Sequence, residues 1–274
     1  MLIATRDREQ LLRTRSLPSA LSQTYRPGVV VIVNDGAPFE LDVLRGLLKA
    51  ADDAGVQLTV IENERAKGAA GAWNSGLVHL ARVGHHGFVA ILDDDDEWDD
   101  VHLDINVENS TNANVVVSGL RMCDRGILVT RPHVEALSDR HFLTGNPGWQ
   151  GSNTFVSLDL LLDVGGFRDG LASMNDRDLA IRLLRHPHAS WRLTGQWTAT
   201  WHRDTPGSLS TPLSEAKLSG LRRFWRIYGS EMSRAEETKY FDRAVRLFSF
   251  GRHDIVETAA NDAVAELPHG SLHG

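Results

Sequence analysis

Phe88-Val89-Ala90-Ile91-Leu92-Asp93-Asp94-Asp95-Asp96-Glu97-Trp98 is the stretch on which the reading of this chain turns. The apolar run is short, reads as a buried strand, and stops at a block in which seven of the eight residues from Asp93 to Asp100 are acidic. A rigid element thus delivers several carboxylates to one place. Their mutual repulsion raises their pKa values and destabilises the fold unless a cation sits among them. A hard divalent cation, Mn²⁺ or Mg²⁺, suits oxygen ligands and leaves positions open for a substrate diphosphate. Two other acid-rich motifs fail on detail: an EF-hand loop begun at Asp93 would put Trp98 at its glycine, and an Asp-x-Asp-x-Thr phosphatase would need threonine at Glu97. A solvated acidic turn is the alternative that these residues alone leave open.

Outward from this strand, similar apolar runs alternate with helix-type segments, the pattern of an α/β fold with a mostly parallel central sheet flanked by helices. Strands are expected at Leu2 to Thr5, Val29 to Asn34, Gln57 to Glu62, Gly87 to Leu92 and Asn114 to Ser118. Helices are expected at Arg8 to Gln23, kinked or limited by Pro18, at Leu41 to Ala54 and at Ala69 to Arg82. Because ligands collect beyond the carboxyl ends of parallel strands, Thr5, Asn34, Asp35 and Asp93 should share one rim. The second half is less regular, with a loop from Leu143 to Ser152, helices at Leu158 to Val164 and Asp176 to Arg185, and a mostly helical stretch from Leu213 to Leu267.

The 274 residues are enough for one large α/β domain with an appendage. A formal net charge of −7 speaks against broad nucleic-acid binding. Cys123 is the only cysteine, so no internal disulfide forms, and a reducing compartment is expected. No apolar run approaches the roughly 20 residues of a membrane span, and Met1 to Thr5 enter a strand without a signal-peptide pattern. A cytoplasmic protein with no integral membrane segment is the expectation.

Taken in order, Thr5-Arg6-Asp7-Arg8, Ser22-Gln23-Thr24-Tyr25-Arg26-Pro27, Val31-Ile32-Val33-Asn34-Asp35-Gly36, Lys67-Gly68-Ala69-Ala70-Gly71-Ala72-Trp73-Asn74-Ser75-Gly76, the acidic block, Gly165-Gly166-Phe167 and Asn175-Asp176-Arg177-Asp178-Leu179 resemble the family 2-like glycosyltransferases of the GT-A fold. The resemblance covers roughly residues 2 to 210. It implies a sugar donor activated by a nucleoside diphosphate, with a UDP-sugar favoured, a hydroxyl acceptor such as a carbohydrate, a divalent cation, and inversion at the anomeric carbon.

Carried over residue by residue, it implies that Thr5, Arg6 and Asp35 meet the nucleoside; a carboxylate at Asp35 could accept a bond from a base imide N–H, or serve only as a turn residue before Gly36. Lys67 and Asn74 fall near the nucleotide, where small neighbours on a helix start favour close approach by an anion or tight packing on the sheet. Asp93 and Asp95 match the family's Asp-x-Asp, with Asp95 the main metal ligand and Asp93 and Asp94 nearer the ribose; the register within Asp93 to Asp96 stays open by one residue. His202, in the loop Trp201 to Ser210, would complete the metal shell or touch the diphosphate. Asp176 takes the position of the catalytic base, although an acid at a helix start also complements the macrodipole. Trp149, Gln150, Gly151 and Ser152 mark the sugar pocket, with Trp149 as a stacking face or as core.

Two other classes remain in view. A sugar-phosphate nucleotidyltransferase would open with a glycine-rich phosphate loop, which Thr5-Arg6-Asp7-Arg8 lacks, and a non-catalytic nucleotide-binding protein would keep the fold without the chemistry. The expected organisation is a glycosyltransferase domain over residues 1–210, divided near residue 100 into nucleotide and acceptor halves, followed by a helical extension over 211–274. That extension could cover the acceptor site, form a homodimer contact or enlarge the core.

Overall fold

The computed structural model describes residues 1–130, 136–203, 205 and 212–256. The first half runs β1 (Leu2–Thr5), α1 (Glu9–Leu11), a wider π turn (Leu12–Ser16), α2 (Leu17–Leu21), β2 (Val30–Asn34), α3 (Leu41–Asp53), β3 (Leu58–Glu62), α4 (Ala69–Arg82) and β4 (Phe88–Asp93). It continues with β5 (Glu97–Trp98), α5 (His102–Asn109), β6 (Val115–Asp124), β7 (Ile127–Thr130), α6 (Asp139–Thr144), β8 (Thr154–Ser157), α7 (Leu158–Asp163), α8 (Asn175–Leu184) and β9 (Trp191–His202). Helices α9 (Glu215–Tyr228), α10 (Arg234–Phe248) and α11 (Arg252–Val256) follow.

The sheet order is β3-β2-β1-β4-β8-β6-β9-β5, with β7 paired to β6. Strands β1 to β4 pair in parallel, as the βαβ pattern demands, whereas β8 joins β4 and β6 antiparallel and β6 returns to parallel pairing with β9. The α/β architecture expected from the sequence is therefore present, its parallel order concentrated in the first half of the chain. Along β1 and β2 successive side chains go to opposite faces. Leu2, Val31 and Val33 pack on one side with α4 and α7 to α11, and Ile3, Val30 and Ile32 on the other with α2, α3 and α5.

Pro18 acts as expected, but on the turn before it. Proline offers no N–H to the helical ladder, and just upstream the chain widens so that Leu17 N–H reaches Leu12 O five residues back. The C-terminal helices share the core cluster of the sheet: Leu221, Phe224, Tyr240 and Ile255 are buried with Leu2 and Val31. Ser214 caps α9 by accepting from Lys217 N–H, and Ser233 and Glu236 close a capping box on α10. Residues 257–267 of the expected helical stretch, and 204 and 206–210 of the His202 loop, lie outside the described residues.

Candidate active site

Register delivers the predicted rim. Thr5 stands opposite Asn34 and Ala4 opposite Asp93, so β1, β2 and β4 end together. The acidic turn closes with Asp96 N–H on Asp93 O at 3.1 Å, and its four aspartates then diverge. Asp94 is buried, accepts from Thr5 Oγ1 at 2.7 Å, and lies 2.7 Å from Arg8 Nη2. Asp95 accepts from Arg8 Nη1 at 2.8 Å, while its carbonyl accepts from Arg15 Nη1 at 2.7 Å. Asp96 turns inward to Ser152 Oγ at 2.5 Å and His202 N–H at 3.0 Å. Asp93 faces the cleft beside Gly151, where a Cβ would stand 3.1 Å from its Oδ1.

One guanidinium forked across two of these carboxylates leaves the cluster short of positive charge. Burial and the neighbouring Asp95 and Asp94 push the Asp93 carboxyl up to about 7. Burial lifts Asp94 to about 6 despite Arg8, and Asp96, buried near Asp93 and Asp95, also rises well above the usual carboxylate range. Carboxylates gathered at a rigid strand end, with their charged forms disfavoured by burial and by one another, suit a hard cation. Among the described residues no group of three or more His, Cys, Asp or Glu side chains is arranged to hold a metal ion.

The other nucleotide candidates divide into two kinds. Asp35 accepts from Asn63 Nδ2 at 2.5 Å and from Gly68 N–H at 2.8 Å, with Arg6 Nη1 4.0 Å away, so it folds the loop 63–68 over the rim. That loop is tightly seated: a Cβ on Gly71 would lie 1.9 Å from Ala66 O. Lys67, in the same loop, is exposed. Asn74 is 1% exposed and its amide is fully engaged, donating to Phe167 O and Asp169 Oδ1 and accepting from Phe167 N–H. The structure thus places Asn74 in the packing of α4 against the Gly165-Gly166-Phe167 segment and not in the cleft.

Asp176 also lines the cleft, in the first turn of α8, which is entered through Met174 at φ 72°. Its Oδ1 accepts from Arg177 N–H at 2.9 Å and its Oδ2 from Asn146 Nδ2 at 2.5 Å. Burial raises its carboxyl, against the opposing pull of the Arg177 N–H, Lys217, the Arg177 guanidinium and Asn146. Gln150 and Gly151 line the same cleft. Trp149 does not offer a stacking face: it is 1% exposed, edge-on to Phe142 and Trp191, with Nε1 bonded to Thr154 Oγ1. Ser152 is buried too, and its hydroxyl anchors the acidic turn through Asp93 N–H and Asp96. His202 is not brought to Asp95, since its Nε2 sits 3.1 Å from Glu97 Oε1.

Sequence reasoning passed over four residues that line the roughly 670 Å³ cleft: Arg8, Asn146, Lys217 and Arg243. Arg8 lay within the Thr5-Arg6-Asp7-Arg8 motif, but only the path from β1 into α1 turns it, rather than Arg6, towards the acids. Lys217 and Arg243 come from the C-terminal helices, and no local pattern marks them.

A parallel half-sheet with an acidic turn at its rim, a mixed second half and a further carboxylate on the same cleft is the build of a GT-A glycosyltransferase, and this protein is one. The sequence model of glycosyl transferase family 2 matches residues 1–184, and the chain belongs to that family. Among solved structures it is similar to the Pyrobaculum calidifontis mannosyltransferase PcManGT in complex with GDP-Man and Mn²⁺, with TM-score 0.62 and 18% identity over 98% of this chain and 76% of that one. It is also similar to S. aureus TarS 1-349 in complex with UDP-GlcNAc, with TM-score 0.60 and 17% identity over 96% and 75%. Against the longer S. aureus TarS chain it spans 44%. No curated protein matches the sequence, and no helix among the described residues is long and apolar enough to cross a membrane.

Proposed function

We propose that the enzyme transfers a sugar, with inversion, from a nucleoside-diphosphate sugar to an acceptor hydroxyl, with Asp176 as the base. The observation that carries this reading is that Asp176 and the acidic turn line one cleft, close enough that the Asp176 charge acts on Asp93. The Asp176 carboxylate takes the proton of the acceptor hydroxyl as its oxygen bonds to the anomeric carbon. The bond from that carbon to the diphosphate breaks, and its electron pair leaves with the nucleoside diphosphate. A base raised towards neutrality by burial suits this task, which is typically worth about 10² to 10⁴ in rate. Asn146 and the Arg177 N–H hold the carboxylate in place.

Asp95 and Asp93 are the residues that would hold a divalent cation, Mn²⁺ or Mg²⁺, with Arg8 adjusting its fork to share Asp95; His202 would join only by leaving Glu97. Bound there, the cation would neutralise charge on the departing diphosphate. Asp35, with Arg6 beside it, is the residue for the base, and a UDP-sugar is the first donor to try.

The test is thermal stabilisation by UDP, GDP, dTDP and CDP with Mn²⁺, Mg²⁺ or EDTA, followed by turnover of the donor that shifts the melt. Asp176→Asn should keep the nucleotide shift and lose transfer by at least about 10². Unchanged turnover would remove Asp176 from the role of base, and no shift with any nucleotide would overturn the donor assignment.

A further inference from the structure

The cleft holds a cation that the transfer mechanism does not use. Lys217, in the first turn of α9, is 5% exposed and lines the cleft. Among the described residues its ammonium has no hydrogen-bond acceptor and no carboxylate within ion-pair distance. Its Nζ lies over the Phe248 ring, 4.7 Å from the centroid. The charged groups acting on it are Asp176, Arg177 and Arg243, from α8 and α10. Arg177 is held in place by the carbonyls of Phe142 and Leu143 and lies over the Phe224 ring. A largely buried lysine with no carboxylate within ion-pair distance among the described residues is costly, and burial brings the Lys217 amine down to about 8, with Asp176 pulling the other way. An anionic ligand removes that cost. The place of the cation matters as well: Asp176 is the carboxylate that acts on Lys217, whereas Arg8 pairs with Asp94 and Asp95.

We propose that Lys217, with Arg243 and Arg177, forms a subsite for an oxyanion carried by the acceptor, so that the preferred acceptors bear a phosphate, sulfate or carboxylate group close to the hydroxyl that attacks. This deepens the glycosyltransfer reading and rests on it for the word acceptor, while the anion site itself stands on the geometry of Lys217. The C-terminal helices therefore supply acceptor selectivity, not only core.

The test uses the full chain, with inorganic phosphate and sulfate as probes, titrated with and without a saturating nucleoside diphosphate. Phosphate should bind whether or not nucleotide is present. Lys217→Met should weaken phosphate at least about tenfold while moving nucleotide affinity less than about twofold, and Lys217→Arg should retain phosphate. If Lys217→Met does not fold, Arg243→Met removes charge from a different helix and is read the same way. Equal phosphate affinity in the folded variants would overturn the subsite. Displacement of phosphate by nucleotide, with Lys217→Met weakening both alike, would assign the lysine to the donor diphosphate and overturn the proposal. Absence of nucleotide binding would sink the donor assignment alone, because the phosphate measurement does not depend on it.

Discussion

Asp176 and Asp178 are two residues apart in the first turn of α8, and the structure predicts opposite consequences for their replacement. Asp178 is 0% exposed and carries three partners: Arg168 Nε at 2.9 Å, Arg182 Nη2 at 2.7 Å and the Tyr228 hydroxyl at 2.8 Å. Burial alone would raise its carboxyl, but Arg182, Arg168 and the bonds from Arg168 and Tyr228 hold it below the usual range. Asp178→Asn keeps the shape and removes the charge, leaving two guanidiniums, each about one-fifth exposed, without their counter-ion. Breaking a buried pair in this way costs about 3–5 kcal/mol, which at about 2–4 °C per kcal/mol for a chain near this size lowers Tm by about 6–20 °C. Asp176→Asn can still accept from Asn146 and sheds a carboxyl that burial disfavours, which offsets the loss of its charge beside Lys217 and Arg177, so its stability should stay within about 1 kcal/mol of the parent. Thermal and urea unfolding of the two variants at pH 7 make the comparison. The sign with pH follows from linkage: a depressed folded-state pKa contributes stability above the ordinary carboxylate range and loses it as pH falls through the folded value, so the Asp178→Asn deficit should shrink in acid. A loss under about 1 kcal/mol for Asp178→Asn, or an equal loss for Asp176→Asn, would refute this division of roles.

The acidic turn gives the reverse pH dependence. Asp93 near 7 and Asp94 near 6 bind protons more tightly folded than unfolded, so in EDTA their contribution to stability should be largest near pH 4 and fall as pH rises to 7. Added Mn²⁺ should raise Tm increasingly across the same window, and a Tm shift by Mn²⁺ that is flat from pH 5 to 8 would contradict the site. Gly71→Ala drives a Cβ into Ala66 O, so it should displace the loop that Asp35 organises and weaken nucleoside diphosphate binding by about tenfold or more; isothermal titration would show unchanged affinity if that loop does not matter. With Lys217 near 8 and surrounded by Asp176, Arg177 and Arg243, phosphate affinity should decline above about pH 8 as the ammonium is lost, and Lys217→Arg should abolish that decline.

Much of this protein is local in its sequence. Helix α4 runs from Ala69 to Arg82 and β1 from Leu2 to Thr5, as their apolar spacing demands, and parallel pairing then leaves the ends of β1, β2 and β4 no choice but one rim. The second half was less legible. Strand β9 carries Gly195 at φ +68° and meets β6 through a register shift, so its alternation is broken, and the two-residue β5 has no period to read. Motif reading also names residue types rather than directions. Asp-Asp-Asp-Asp is visible as a cluster of carboxylates, yet only the turn sends Asp96 inward to Ser152 and leaves Asp93 at the cleft. Trp149 and Asn74 are buried for the same reason: a side chain's partners come from segments remote in sequence, here Trp191 for the first and Phe167 for the second. The chain's local patterns determined the strands, the rim and the chemistry on offer. Tertiary packing, which folds α9 and α10 back onto the sheet and aims Lys217 and Arg243 at Asp176, decided what else the cleft presents to its substrate.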